Sequence, residues 1–336
     1  MPRLLAVNAV DHAGGAEIAL LRLLARLDGW ETTFTTPGPG PLAQQAAGMP
    51  RVRVAHLPLG GLARGAGARA VRSFPRARRL AAAHDVVYLN GTVTGRLLPA
   101  LRGARTVLHV HDLVDRVPRI WRRADVVLAA SEAVADRLHP LASQVVYCPI
   151  ELGADQRATA PWSRAGGPVV GFVGRIEPRK GPLDLVRAAP AIRAAVPGAR
   201  VVLVGGDPYG SDPEYGASVA AARDVEHYAW VDDAAAVMSH LDVLVLPSYA
   251  EPFGTVLAEA MAAGTPVVAT AVGGLGEVVT DGHDGALVPP GRPDALADAV
   301  VRVLARRDEL GANAAASVRR FDAAAYARRV EGLLAA

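Results

Sequence analysis

Two doubly wound α/β domains, each on a mostly parallel sheet, are what this sequence predicts, and three observations predict them. Short apolar runs recur along the chain, separated by stretches of helical length. The runs are mostly continuous rather than alternating, as parallel strands covered on both faces require. One stretch, residues 151–167 (ELGADQRATAPWSRAGG), breaks the pattern with proline, glycine and charge, and so divides the chain in two.

In the first half the runs place strands at residues 4–10, 32–36, 52–57, 86–90, 106–110, 126–129 and 145–148. In the second half they place them at residues 169–173, 200–204, 225–229, 243–246, 267–269 and 286–288. Each half opens with a strand running into a glycine-containing turn, residues 11–15 and 174–181. The first domain is expected over residues 1–150 and the second over residues 168–321. A terminal segment, residues 322–336, carries a last helix that is expected to pack back on the first domain. Two such domains facing a central cleft present the carboxyl ends of their strands to it, where open α/β sheets bind ligands.

Composition is consistent with two cores. The chain has 336 residues, of which 51% are hydrophobic, enough for two domains of about 150 residues each. A formal net charge of +3 does not by itself signal nucleic-acid binding. The one cysteine, Cys148, excludes an internal disulfide and reads as a buried strand thiol. The first ten residues are too short and too polar for a secretory leader, and no run of 18 apolar residues is present. The expected compartment is the cytoplasm. Of 36 lysines and arginines only Lys180 is a lysine. In so arginine-rich a chain, a retained lysine points to a task that arginine does not fill.

The strongest constellation runs from Ser248 to Val268, SYAEPFGTVLAEAMAAGTPVV. It follows a strand, passes through a loop holding Glu251, and starts a helix near Gly254. Gly264 and Pro266 then stop that helix. The helix start presents free backbone N–H groups and partial positive charge, and Gly254 allows an anion close to that backbone. Glu251 and Glu259 suit vicinal hydroxyls, each carboxylate accepting two hydrogen bonds at matched spacing. The second constellation, GFVGRIEPRKG from Gly171 to Gly181, brings Arg175 and Lys180 to a strand end. Two fixed cations there suit a leaving diphosphate. Arg179 reads as a solvated neighbour.

These motifs resemble glycosyltransferase family 4, the retaining enzymes of GT-B architecture that include bacterial group 1 glycosyltransferases. The residues that carry the resemblance are E-x-F-G-x-x-x-x-E at Glu251–Glu259, A-x-G-x-P-V-V after it, and G-R-x-x-x-x-K-G at residues 174–181. The resemblance covers essentially the whole chain. It implies a GT-B fold of two Rossmann-like domains, the first taking the acceptor and the second a nucleotide sugar. It implies that Arg175 and Lys180 hold the donor diphosphate, that Glu251 holds sugar hydroxyls, and that Glu259 binds the ribose. Phe253, Gly254, Thr255 and Val256 would offer backbone amides to sugar and diphosphate. Gly14 and Gly15 would close over the donor, and Gly273, Gly274 and Glu277 would line the phosphate region. His111 would stand near the reacting sugar, with Asp112 orienting it or touching the acceptor. His109 reads as structural.

Asn90 ends another strand and is a candidate acceptor contact. Two histidines two apart suggest a metal only if a third ligand exists, and none is evident. The pair Asp232 and Asp233 reads as a helix cap rather than a metal site. No metal or cofactor is expected beyond the nucleotide-sugar co-substrate, with UDP as the expected base. The stretch of Arg64, Arg69, Arg72, Arg76, Arg78 and Arg79 reads as a solvated helix face, the alternatives being an anionic acceptor or a membrane surface. The expected reaction moves a hexosyl-type sugar to a hydroxyl of a small molecule, glycan or lipid. A nucleotide-sugar 2-epimerase, a sugar phosphorylase or a non-catalytic nucleotide-sugar-binding protein are the rival readings.

Overall fold

Among the described residues of the computed structural model, thirteen strands, all paired in parallel, form two sheets. The structure describes residues 1–60, 66–153, 160–163, 166–207, 210, 212–231 and 234–336. The chain divides into two units, Met1–Pro149 with Ala323–Ala336, and Ile150–Asp322.

The first unit holds β1 (Arg3–Val7), β2 (Glu31–Thr36), β3 (Val52–His56), β4 (Val86–Asn90), β5 (Arg105–Val110), β6 (Val126–Ala129) and β7 (Gln144–Val145). Its sheet order is β3-β2-β1-β4-β5-β6-β7. Its helices are α1 (Gly15–Leu24), α2 (Pro41–Ala47), α3 (Ala66–Arg72), α4 (Phe74–Ala81) and α5 (Glu132–Leu138). Successive residues of β1 serve two different cores. Leu4 and Ala6 pack with Leu20, Tyr88 and Leu128, while Leu5 and Val7 pack with Ala77, Leu89 and Trp121 on the other face. That division is why the runs are apolar throughout instead of alternating. The C-terminal helix, numbered α13 (Ala323–Ala335), adds Tyr326, Val330 and Leu334 to the first of these cores. Its Glu331 accepts a hydrogen bond from Trp30 Nε1 at 3.2 Å.

The second unit holds β8 (Val169–Val173), β9 (Arg200–Val204), β10 (Glu226–Tyr228), β11 (Val243–Leu246), β12 (Val267–Thr270) and β13 (Gly285–Val288). The order is β10-β9-β8-β11-β12-β13. Its helices are α6 (Pro182–Ala195), α7 (Pro213–Ala220), α8 (Ala234–Met238), α9 (Thr255–Ala262), α10 (Leu275–Val278), α11 (Pro293–Ala305) and α12 (Arg307–Ser317). In both sheets the order reverses beside the first strand, between β1 and β4 and between β8 and β11. Those switch points leave a crevice at the strands' carboxyl ends.

An aspartate just before a strand recurs as a register device. Asp85 accepts from the Arg3 amide at 2.7 Å, Asp125 from the Thr106 amide at 2.7 Å, and Asp242 from the Val169 amide at 2.7 Å. Each carboxylate takes an amide at the start of a neighbouring strand: the first residue of β1 and of β8, and the second of β5.

Several strand limits shift by one residue from expectation, and two strands of the first sheet end well short of it. The strand of residues 4–10 ends at Val7, because the Asn8 side chain turns onto the Val10 carbonyl at 2.8 Å. The strand of residues 145–148 is only Gln144–Val145, so Cys148 is a buried thiol just beyond the ladder rather than in it. Apolar sequence continues past the strand because the chain stays buried after leaving the sheet. The expected cap at Asp232 and Asp233, and Arg64 of the arginine stretch, lie outside the described residues. Arg72, Arg76, Arg78 and Arg79 are exposed on and before α4.

Candidate functional site

Two loops meet at the switch point of the second sheet. One leaves β8 as Gly174–Arg175–Ile176–Glu177 and tightens into a single 3-10 turn, Pro178–Lys180. The other leaves β11 and carries Ser248 to Gly254 into α9. Gly181 joins the first loop to α6 in a left-handed conformation, φ +67°. A Cβ at Gly181 would run into the Pro247 carbonyl oxygen, so the two loops approach as closely as they do because this residue has no side chain. Gly181→Ala is therefore expected to lower stability by about 2 kcal/mol or more, from the left-handed backbone and the carbonyl collision together. Chemical denaturation checks it, and an unchanged midpoint would show that the loops yield at no cost.

The meeting is electrostatic. Lys180 Nζ donates to Glu251 Oε2 at 2.5 Å, and both side chains are largely buried, 13% and 9% exposed. Ser248 Oγ donates to the same oxygen at 3.4 Å. Arg179 Nη1 stands 3.7 Å from it. Glu177 holds two cations at once, Arg175 Nη1 at 3.1 Å and Arg179 Nη2 at 2.8 Å. The result is an alternating series, Arg175, Glu177, Arg179, Glu251, Lys180. Arg179 is thus not the solvated neighbour expected from its place in the sequence. Its guanidinium is committed to Ala250 O at 2.8 Å and to Glu177, and its carbonyl accepts from the Tyr249 amide at 2.8 Å.

Gly254 caps α9 with φ +95°, and no side chain caps that end. The first-turn amides, Thr255 and Val256 among them, have no partner within the helix by its geometry. Phe253, 2% exposed, packs edge-on against Phe321 at 5.0 Å and anchors the loop. Gly274 donates its amide to the Glu251 carbonyl at 3.0 Å, and a Cβ there would strike the Pro252 carbonyl oxygen. This ties the expected phosphate-side stretch of Gly273, Gly274 and Glu277 to the Glu251 loop. Glu259 lies half-buried on the same helix, one turn past Thr255.

The first unit gathers its candidates at its own switch point. Asn90, 3% exposed at the end of β4, donates through Nδ2 to the Ala16 carbonyl at 3.2 Å. That fixes the amide, so its Oδ1 accepts from His111 Nε2 at 3.1 Å. His111 Nδ1 is left unprotonated and faces Cys148 Sγ at 3.8 Å. Asn90 and His111 therefore form a buried knot at the carboxyl end of β4. Asp112 is exposed and accepts from Thr92 Oγ1 at 3.1 Å. Gly14 and Gly15 are exposed at the start of α1, where Glu17 accepts from the Gly14 amide at 3.0 Å. Burial raises the Glu17 carboxyl and nearby Asp112 adds to the rise, against those backbone hydrogen bonds. His109 is wholly buried with its Nδ1 2.5 Å from the Tyr88 hydroxyl, a structural residue.

Burial pushes the His111 imidazole down to about 4, and His109 well down with it. Both fold as neutral rings whose unfolded counterparts take up a proton near pH 6.5. The stability they contribute is complete above about pH 6.5 and is lost as pH falls towards 4, of order 3 kcal/mol for His111. Melting temperature is expected to drop between pH 7 and pH 5, and His111→Gln is expected to flatten the drop. An equally steep drop in that variant would assign the sensitivity elsewhere.

No group of three histidine, cysteine or acidic residues able to hold a metal occurs among the described residues. No helix of the described residues is long and apolar enough to cross a membrane.

Residues 167–306 match the family described as "Glycosyl transferases group 1". The chain is 37% identical over 232 residues to a D-inositol 3-phosphate glycosyltransferase of Mycobacteroides abscessus, covering 62% of this chain and 48% of that protein. It is 36% identical over 228 residues to a phosphatidyl-myo-inositol mannosyltransferase of Mycobacterium leprae, covering 64% and 60%. It therefore spans roughly half of the curated relatives it matches. Among solved structures, the Anabaena protein HepE in complex with UDP and glucose superimposes with a TM-score of 0.84 over 100% of both chains, at 22% identity. A sucrose-phosphate synthase of Thermosynechococcus elongatus gives 0.80 at 27% identity over 99% and 98%. Two doubly wound parallel units of this kind are the GT-B architecture.

Proposed function

We propose that this chain, which carries a group 1 glycosyltransferase domain over residues 167–306, moves a hexosyl-type sugar from a nucleoside diphosphate sugar to an acceptor hydroxyl. The observation that carries the reading is the Lys180–Glu251 ion pair at the switch point of the second sheet, with Arg175 in the same charge series. A cation beside a carboxylate at that position suits a ligand that is anionic at one end and hydroxylated at the other. Lys180 and Arg175 hold the diphosphate and stabilise the charge that grows on it as the glycosidic bond breaks. The α9 amides at Gly254, Thr255 and Val256 add donors from a helix start. Glu251 holds sugar hydroxyls and Glu259 the ribose diol.

UDP is the first donor base to test, since the similar HepE structure was determined with UDP and glucose. The names of the two relatives put an inositol phosphate or an inositol lipid first among acceptors, alongside small-molecule and glycan hydroxyls. The first unit takes the acceptor. Its hydroxyl attacks from the face the diphosphate leaves, that phosphate takes the proton, and the anomeric configuration is retained. Neither a metal nor another cofactor is part of this chemistry. The test is transfer from UDP-, GDP-, ADP- and TDP-sugars to inositol phosphates, with product stereochemistry read by NMR. A retained anomer supports the reading, and inversion or epimerised donor refutes it.

A further inference from the structure

The structure assigns Arg179 a positioning role: it registers the β8 loop on the β11 loop so that Lys180 and Arg175 present their charges to a diphosphate. The assignment rests on the donor reading above. Arg179 crosses between the loops in both directions, its guanidinium donating to Ala250 O at 2.8 Å and its carbonyl accepting from the Tyr249 amide at 2.8 Å. Neither bond depends on Lys180, which follows it in sequence. A hydrogen bond from each side fixes both the separation of the loops and their slide along one another.

The same guanidinium works along its own loop. Its second nitrogen donates to Glu177, whose other carboxylate oxygen holds Arg175 at 3.1 Å. Arg175 and Lys180 are five residues apart on an irregular turn and share a common reference through Glu177 and Arg179. A further brace lies on the far side of the turn. Asp184, 3% exposed on the first turn of α6, accepts from the Tyr249 hydroxyl at 2.7 Å and from Arg187 at 3.1 Å. The residue flanked by these two braces is Lys180. An arginine is required because the planar fork reaches a carbonyl and a carboxylate at once, which an ammonium at one point does not.

The experiment uses the full chain and binding rather than turnover. UDP, GDP and ADP are titrated calorimetrically, and the one that binds is compared with its parent nucleoside for wild type, Arg179→Ala, Arg179→Lys and Glu177→Gln. Arg179→Ala is expected to weaken the diphosphate about tenfold or more while leaving the nucleoside unmoved, in line with loss of charge-assisted hydrogen bonds. Arg179→Lys is expected to recover part of the loss and Glu177→Gln to reproduce part of it. Equal weakening of nucleoside and diphosphate would reduce Arg179 to a general structural part and overturn the assignment, as would wild-type affinity in Arg179→Ala. No diphosphate binding by the wild type would overturn the donor reading itself, and this assignment with it.

Discussion

Lys180→Ala is expected to reduce sugar transfer by about a hundredfold to a thousandfold, the range for removing one preorganised group that stabilises developing charge. The loss falls on kcat/KM and on nucleoside diphosphate affinity, with the fold intact, because Lys180 lies in a loop and packs no core. Among the described residues its ammonium pairs with the Glu251 carboxylate at 2.5 Å. Removing it leaves Glu251, 9% exposed, beside Arg179 at 3.7 Å, so the buried carboxylate is not stranded without a cation. Lys180→Arg is expected to recover only part of the activity. Its planar fork does not supply the single-point ammonium that meets the Glu251 oxygen shared with Ser248, and this chain uses arginine nearly everywhere else. Steady-state transfer rates with matched circular dichroism check both variants, and an Arg variant as active as wild type would remove the argument from the single lysine.

Glu251→Gln is expected to separate two properties that ordinarily fall together. Transfer falls by a similar hundredfold or more, since the carboxylate proposed to grip the sugar becomes a weaker neutral acceptor. Affinity for the bare nucleoside diphosphate rises, by about tenfold. Without ligand, Lys180 and Glu251 satisfy one another, so a diphosphate must first take Lys180 from that charge-assisted bond, a cost of about 1–2 kcal/mol. The amide releases the lysine and lowers the cost, while Ser248 and Arg179 remain to hold the new side chain. Calorimetry on the variant with the diphosphate alone checks the sign. Weaker binding would mean that Glu251 supports Lys180 in the bound state rather than competing for it.

Much of the fold was legible because parallel strands between two cores must be apolar on both faces. The runs at residues 86–90, 126–129, 169–173, 200–204 and 243–246 coincide with β4, β6, β8, β9 and β11. Legibility failed at residues 8–10 and 146–148, where burial continues after the ladder ends and hydrophobicity alone does not mark the last hydrogen bond. Arg175, Lys180, Glu251 and the Gly254 helix start could be read as strand-end residues, and the structure brings the first three into one charge series. Glu177, Arg179, Asp184 and Tyr249 could not. The partners of Arg179 and Asp184 lie 71 and 65 residues away, a distance that leaves no local periodicity, and Glu177 gains its place from the side chains of its own turn. At Asn90 the sequence showed a polar strand end but not its partners, the Ala16 carbonyl and His111, which lie far along the chain. The aspartates at 85, 125 and 242 left a readable trace, an Asp immediately before Val-Val or Val-Leu, which the apolar runs overshadowed.

The central claim is that the second unit binds the diphosphate of a nucleotide sugar on Lys180, Arg175 and the α9 start. It is tested most directly by titrating UDP-, GDP-, ADP- and TDP-sugars into wild type and Lys180→Ala while following the melting temperature. One of the four is expected to stabilise the wild type by about 2.7 kcal/mol at a hundred times its dissociation constant, and to stabilise Lys180→Ala far less at the same concentration. Stabilisation of both proteins to the same extent, or of neither by any of the four, would contradict it.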